Sequence, residues 1–182
     1  MKRLYLPLLI SLCLLLSGCS DSELKEKCEN FSTETSAREN LSFTSKLRAE
    51  YDNRTNEFIL EYSSDPQGCT VRVVSPEIIR GITARAADGE TALEFDGLRL
   101  DTGELDDFGL SPVSALPLLE DAVCSSYIDS VWEENGEIVE MLIPSDNLSI
   151  ELHFDKYTMT PVHAEFISGG RVRVFADIKN WT

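Results

Sequence analysis

The only two histidines of this 182-residue chain, His153 and His163, sit in consecutive segments of alternating apolar residues. Leu148, Ile150, Leu152 and Phe154 alternate with polar neighbours, as do Val162, Ala164 and Phe166. Both apolar sets must face the same side, so even-numbered residues pair with even and odd with odd. Pairing 153 with 163 satisfies this and sets Glu151 opposite Glu165. Two imidazoles and two carboxylates side by side are zinc-type ligands. Metal-bound histidines also need a partner on the second ring nitrogen, and no such partner is evident in the sequence. The four residues read as a solvated sheet face, with no metal expected.

The cysteines are the next reactive set: Cys13, Cys19, Cys28, Cys69 and Cys124. No Cys-x-x-Cys occurs, so neither a thioredoxin-like dithiol nor a zinc ribbon is supported. In an oxidising compartment Cys69 and Cys124 could form a disulfide. Alternatively they pack as buried thiols, behaving as small hydrophobes. Asp101, Glu104, Asp106 and Asp107, with Gly103 and Gly109, lack the calcium-loop spacing and read as a solvated acidic loop. Gly-x-Ser-x-Gly, His-Glu-x-x-His and phosphate-cradling glycine loops do not occur, so neither enzymatic activity nor a cofactor is expected.

Alternation extends through most of the chain. Phe43, Leu47, Ala49 and Tyr51 alternate with polar residues, as do Phe58, Leu60 and Tyr62, and Val71 and Val73 flank Arg72. Further strands are expected at 82–86, 91–95, 98–100, 138–143, 148–154, 162–167 and 172–176, separated by Asn, Asp, Gly and Pro turns. Ser111-Pro112 is expected to open a helix over 113–131 with an apolar stripe of Leu116, Leu119, Val123 and Tyr127; Pro117 would kink or delay its start. Leu24, Cys28 and Phe31 are spaced for a short helix, followed by a polar spacer through Asn40. The parity rule disfavours a two-residue Gly169-Gly170 turn and favours a three-residue loop that puts Glu165 opposite Arg173. The fold class is α+β: about nine short antiparallel strands in a curved sheet wrapped on one or two helices.

Sixteen basic against 32 acidic residues give a net charge of −16, which repels phosphate backbones and excludes nucleic acid as a partner. The chain begins Met1-Lys2-Arg3, followed by an apolar stretch from 4 to 16 that is shorter than the roughly 20 residues of a spanning helix. Leu16-Ser17-Gly18-Cys19 then resembles the lipobox of bacterial lipoproteins. That resemblance implies diacylglycerol on the Cys19 thiol, cleavage before it, and a protein tethered by lipid on the extracytoplasmic face of the cell membrane. The expected organisation is a signal peptide at 1–18, a lipid-anchored linker at 19–40 and a folded domain at 41–182. Without Lys2 and Arg3 the mature chain has 14 bases and 32 acids, a net −18. An acidic domain of this kind should stand off an anionic bilayer on its linker.

The order of elements resembles the LolA/LolB superfamily of lipoprotein carriers. The residues that carry the resemblance are Val74-Ser75-Pro76-Glu77-Ile78-Ile79-Arg80-Gly81-Ile82, Leu93-Glu94-Phe95-Asp96-Gly97-Leu98, and Leu152-His153-Phe154-Asp155 leading to Thr160-Pro161. The style is that of lipid-anchored members, including germination-associated lipoproteins. The resemblance implies an incomplete β-barrel whose concave face, plugged by helices, holds acyl chains or an apolar partner surface. Its contacts would be Phe58, Leu60, Tyr62, Val71 and Val73, with Leu116 and Leu119 from the helix; plain core packing is the other reading of these seven. Because soluble carriers of this type lack an anchor, shuttling is not implied. The resemblance leaves two roles, binding an apolar ligand or lipidated partner and serving as an envelope or germination scaffold for a partner protein.

Overall fold

The computed structural model describes residues 20–51, 54–87, 90–103 and 110–182. Cys19 and the acidic residues Glu104, Asp106 and Asp107 lie outside them.

A helix, α1 (Ser20–Ser36), opens the described chain. Six strands follow: β1 (Leu41–Tyr51), β2 (Arg54–Asp65), β3 (Gly68–Ser75), β4 (Thr83–Ala87), β5 (Glu90–Phe95) and β6 (Leu98–Gly103). A second helix, α2 (Ala115–Ser125), leads into β7 (Tyr127–Glu134), β8 (Glu137–Ser145), β9 (Leu148–Asp155), β10 (Pro161–Ser168) and β11 (Arg171–Lys179). The strands form one sheet in the order β6-β5-β4-β3-β2-β1-β11-β10-β9-β8-β7, with every pair antiparallel. Among the described residues β6 and β7 are the edge strands.

Laid flat, eleven strands at about 4.8 Å spacing would span about 50 Å. Two helices of about 10 Å diameter cover less than half of that. Residues of β1, β2, β3, β8, β9, β10 and β11 nevertheless share one buried cluster with both helices, so the sheet must curl around them. Phe31 of α1 meets Phe154 of β9 edge-on at 4.8 Å, while Trp181 stacks on Phe43 of β1 at 4.7 Å. Leu47, Leu60, Leu116, Leu119, Leu152, Phe154 and Phe166 lose essentially all contact with water in this core.

Several sequence expectations change. α1 is not a linker: Leu24, Cys28 and Phe31 dock it into the core, and Ser32 Oγ donates to the carbonyl of Val123 in α2 at 2.6 Å. The helix expected over 113–131 is shorter at both ends. Pro117 occupies its third position, where the absent N–H would have no intrahelical acceptor in any case, and Ser111 and Ser114 satisfy each other's amides ahead of it. The helix stops at Ser125 because Tyr127, Ile128, Val131 and Trp132 are β-forming residues and build edge strand β7. Tyr127 had continued the helical stripe only by coincidence of spacing. Finally, Gly169 and Gly170 do form a two-residue turn, both at positive φ (61° and 71°). Ser168 pairs with Arg171, and parity is restored by a bulge that leaves Arg173 unpaired, so Glu165 faces Phe175 rather than Arg173.

Candidate functional site

The strands and α2 bring polar side chains together in three places. The first is the mouth of the concave face. Alternation puts Tyr62 and Ser64 of β2 beside Cys69 of β3, and one helical turn separates Glu120 from Cys124 on α2. The Glu120 carboxylate accepts hydrogen bonds from the Tyr62 hydroxyl and from Ser64 Oγ, the latter at 2.7 Å. These groups border a cavity of about 510 Å³ whose walls include Arg38, Tyr62, Cys69, Glu120, Asp121 and Cys124. Burial, reinforced by Cys69 and Glu120, raises the Tyr62 pKa, and burial likewise raises both thiols. A protonated thiol is a poor nucleophile. Cys69 and Cys124 share this cavity as free thiols, so of the two readings left open for them the structure has the unpaired one. Glu120 therefore latches α2 to β2.

The second place lies under α1. Ile138, Glu140 and Leu142 of β8 all face the core, and Glu140 is only 2% exposed. Burial pushes its carboxyl up to about 7, partly offset by a hydrogen bond from the Cys28 thiol of α1. One carboxylate oxygen has no partner among the described residues. Sequence reasoning missed this acid, although a glutamate on the apolar phase of an alternating strand was the available signal.

The third is the convex face, where His153 pairs with His163 and Glu151 with Glu165 in the expected register. The rings meet edge-on at 5.5 Å. Glu137 stands 3.0 Å from His153 Nδ1 and Asp177 stands 2.9 Å from His163 Nδ1. Carboxylate partners that the sequence had not revealed are therefore present. Among the described residues, however, no three His, Cys, Asp or Glu side chains are placed to hold a metal ion.

Six of the seven apolar contact candidates, Leu60, Tyr62, Val71, Val73, Leu116 and Leu119, are buried in the common core, and Phe58 packs against it half-buried. They are brought together, but against one another and α1; Tyr62 is the one that lines the mouth cavity. Large apolar groups do reach solvent at the β6 edge, where Phe95 is 49%, Leu98 75% and Leu100 63% exposed. No described helix is long and apolar enough to cross a membrane.

No family model and no curated protein matches the chain by sequence. Solved structures resemble it in fold. An outer membrane lipoprotein-sorting protein domain from Vibrio parahaemolyticus superposes with a TM-score of 0.50 at 12% identity, covering 87% of this chain and 92% of that one. A LolA superfamily protein from Nitrosomonas europaea gives 0.48 at 11% identity, with 87% and 92% coverage. A chain in the complex of the CwlD amidase with the GerS lipoprotein from Clostridioides difficile gives 0.46 at 14% identity, with 87% and 94% coverage. With eleven antiparallel strands left unclosed around two helices among the described residues, the chain shares the fold of that lipoprotein-sorting domain.

Proposed function

We propose that this protein is a lipoprotein anchored through Cys19 on the extracytoplasmic face of the membrane. There it acts without catalysis as a scaffold, binding a partner protein by its outer surface rather than carrying lipid inside the half-barrel. The observation that supports this reading is the filled interior. Cys28 and Phe31 from α1, and Leu116, Leu119 and Ala122 from α2, occupy the space that an acyl chain would need. A cavity at the mouth sets Arg38, Asp65, Glu120 and Asp121 beside apolar wall from Pro66, Ala86, Ala87 and Pro117, and a hydrocarbon guest there would have to desolvate the charged groups. The acidic chain favours a partner with a basic face. Mild crosslinking of cells followed by recovery of the membrane-anchored protein should yield one stoichiometric partner. Recovery of no partner would contradict the scaffold reading.

A further inference from the structure

The β6 edge is self-complementary, and we propose that two copies of the chain join there, β6 against β6, about a two-fold axis through Leu100. The turn Asp96-Gly97, with φ of 49° and 77°, closes on the pair Phe95–Leu98, which is followed by Glu94–Arg99 and Leu93–Leu100. A two-residue hairpin turn closes on a hydrogen-bonded pair, and bonded and non-bonded pairs then alternate. Leu98 and Leu100 therefore spend their backbone groups on β5, whereas Arg99 and Asp101 direct theirs outward at an edge with no neighbour strand among the described residues. Only registers that pair these outward residues with each other make hydrogen bonds.

Charge selects among them. An axis at Arg99 would set arginine against arginine, and an axis at Asp101 would set aspartate against aspartate. An axis at Leu100 sets Arg99 of each copy opposite Asp101 of the other and makes two bonded pairs. Within one chain these two side chains already touch along the strand, Arg99 Nε to Asp101 Oδ1 at 2.9 Å, and both are largely exposed. In the pair they exchange that contact for one across the strands, a favourable opposite-charge pairing. On the concave face the apolar row Ala84, Leu93, Leu100 continues into the Leu100 and Leu93 of the second copy, covering a Leu100 that is otherwise wet. The bulge at Thr102 confines regular pairing to 99–101. The other open edge, β7, carries Asp129, Glu133 and Glu134 and no base, so it cannot pair with itself in this way. The contact is isologous and closes on itself, giving a dimer rather than a filament. It is independent of any foreign partner.

The test is crosslinking of the full-length protein in native membranes. At the axis, Leu100 faces its own copy as a non-bonded pair, the close class of antiparallel neighbours. Under mild copper-phenanthroline oxidation, Leu100→Cys should give a disulfide-linked dimer that the parent chain does not give. Leu98→Cys, which faces residue 102, should give at least about tenfold less. Arg99→Asp or Asp101→Arg in the Leu100→Cys background should abolish the dimer, and the two together should restore it. A Leu100→Cys chain that stays monomeric, or a double charge swap that fails to restore what the single changes remove, overturns the proposal. Both charged positions are exposed, so none of these changes threatens the fold.

Discussion

Glu140 is the residue whose chemistry reaches furthest into stability. Its carboxyl titrates near 4.5 in the unfolded chain and about 7 in the folded one. The folded state therefore holds this proton more tightly, and stability is lost as pH rises from about 4.5 through 7. The difference corresponds to about 3 kcal/mol. Glu140→Gln, which cannot ionise, should remove that slope. Urea unfolding at pH 5 and pH 8 should show the variant gaining stability on the parent at pH 8 but not at pH 5; an unchanged slope would assign the titration elsewhere. A second residue-scale prediction concerns the latch. The Tyr62 hydroxyl bonds a charged carboxylate, so a double-mutant cycle of Tyr62→Phe with Glu120→Ala should return a coupling of about 1.5–3 kcal/mol. A coupling near zero would mean that the Tyr62–Glu120 contact does not help to hold α2 against β2. Cys19→Ala should lose fatty-acid labelling and move the protein from the membrane to the soluble fraction; retained label would place the lipid on another residue. The histidine pair was legible at this scale because parity and the short loop between the two strands together narrow the register, whereas its partners Glu137 and Asp177 come from flanking strands whose offsets no single alternation supplies.

At the scale of elements, α1 carries much of the closure. Phe31→Ala removes a ring packed against Phe154 and Trp181 and should cost about 3–5 kcal/mol in denaturant unfolding, with hydrogen-exchange protection lost first along α1. A cost below 1 kcal/mol would mean that the helix is only loosely docked. Gly68 poses a backbone test, since at φ 142° a Cβ would fall 2.1 Å from the Ala86 carbonyl oxygen. Gly68→Ala should therefore destabilise the β2–β3 hairpin and its β4 neighbour more than Gly169→Ala, where the added Cβ meets nothing within 4 Å. Period-two strands were readable because each has one wet face. α1 is legible as a helix from the spacing of Leu24, Cys28 and Phe31, but not its length or its docking, because Glu and Lys surround the three apolar anchors and so narrow a stripe does not reveal its partner surface. β7 was absorbed into α2 because an edge strand lacks the alternation of a half-buried one and Tyr127 fell in helical phase with Val123. The bulge at Arg173 illustrates the same limit. Parity required a correction near the Gly-Gly turn, but not whether the turn or the strand would absorb it.

For the whole molecule, the docking of α1 revises the posture inferred from charge. A chain cleaved before Cys19, at a net −18, would still be repelled by an anionic bilayer, but Ser20–Ser36 is folded into the domain and cannot serve as a long spacer. Cys19 adjoins the first described residue of α1, so a lipid on Cys19 would hold the domain close to the bilayer and orient it through that helix. The same helix fills the space in which a carrier would hold its cargo, and this connects anchoring with the non-carrier reading. Native mass spectrometry of the mature lipoprotein, released from membranes in a mild detergent, tests that connection most directly. The predicted result is a mass accounted for by the polypeptide and the lipid on Cys19, with no further lipid retained; a second lipid bound stoichiometrically and released only on unfolding would contradict it.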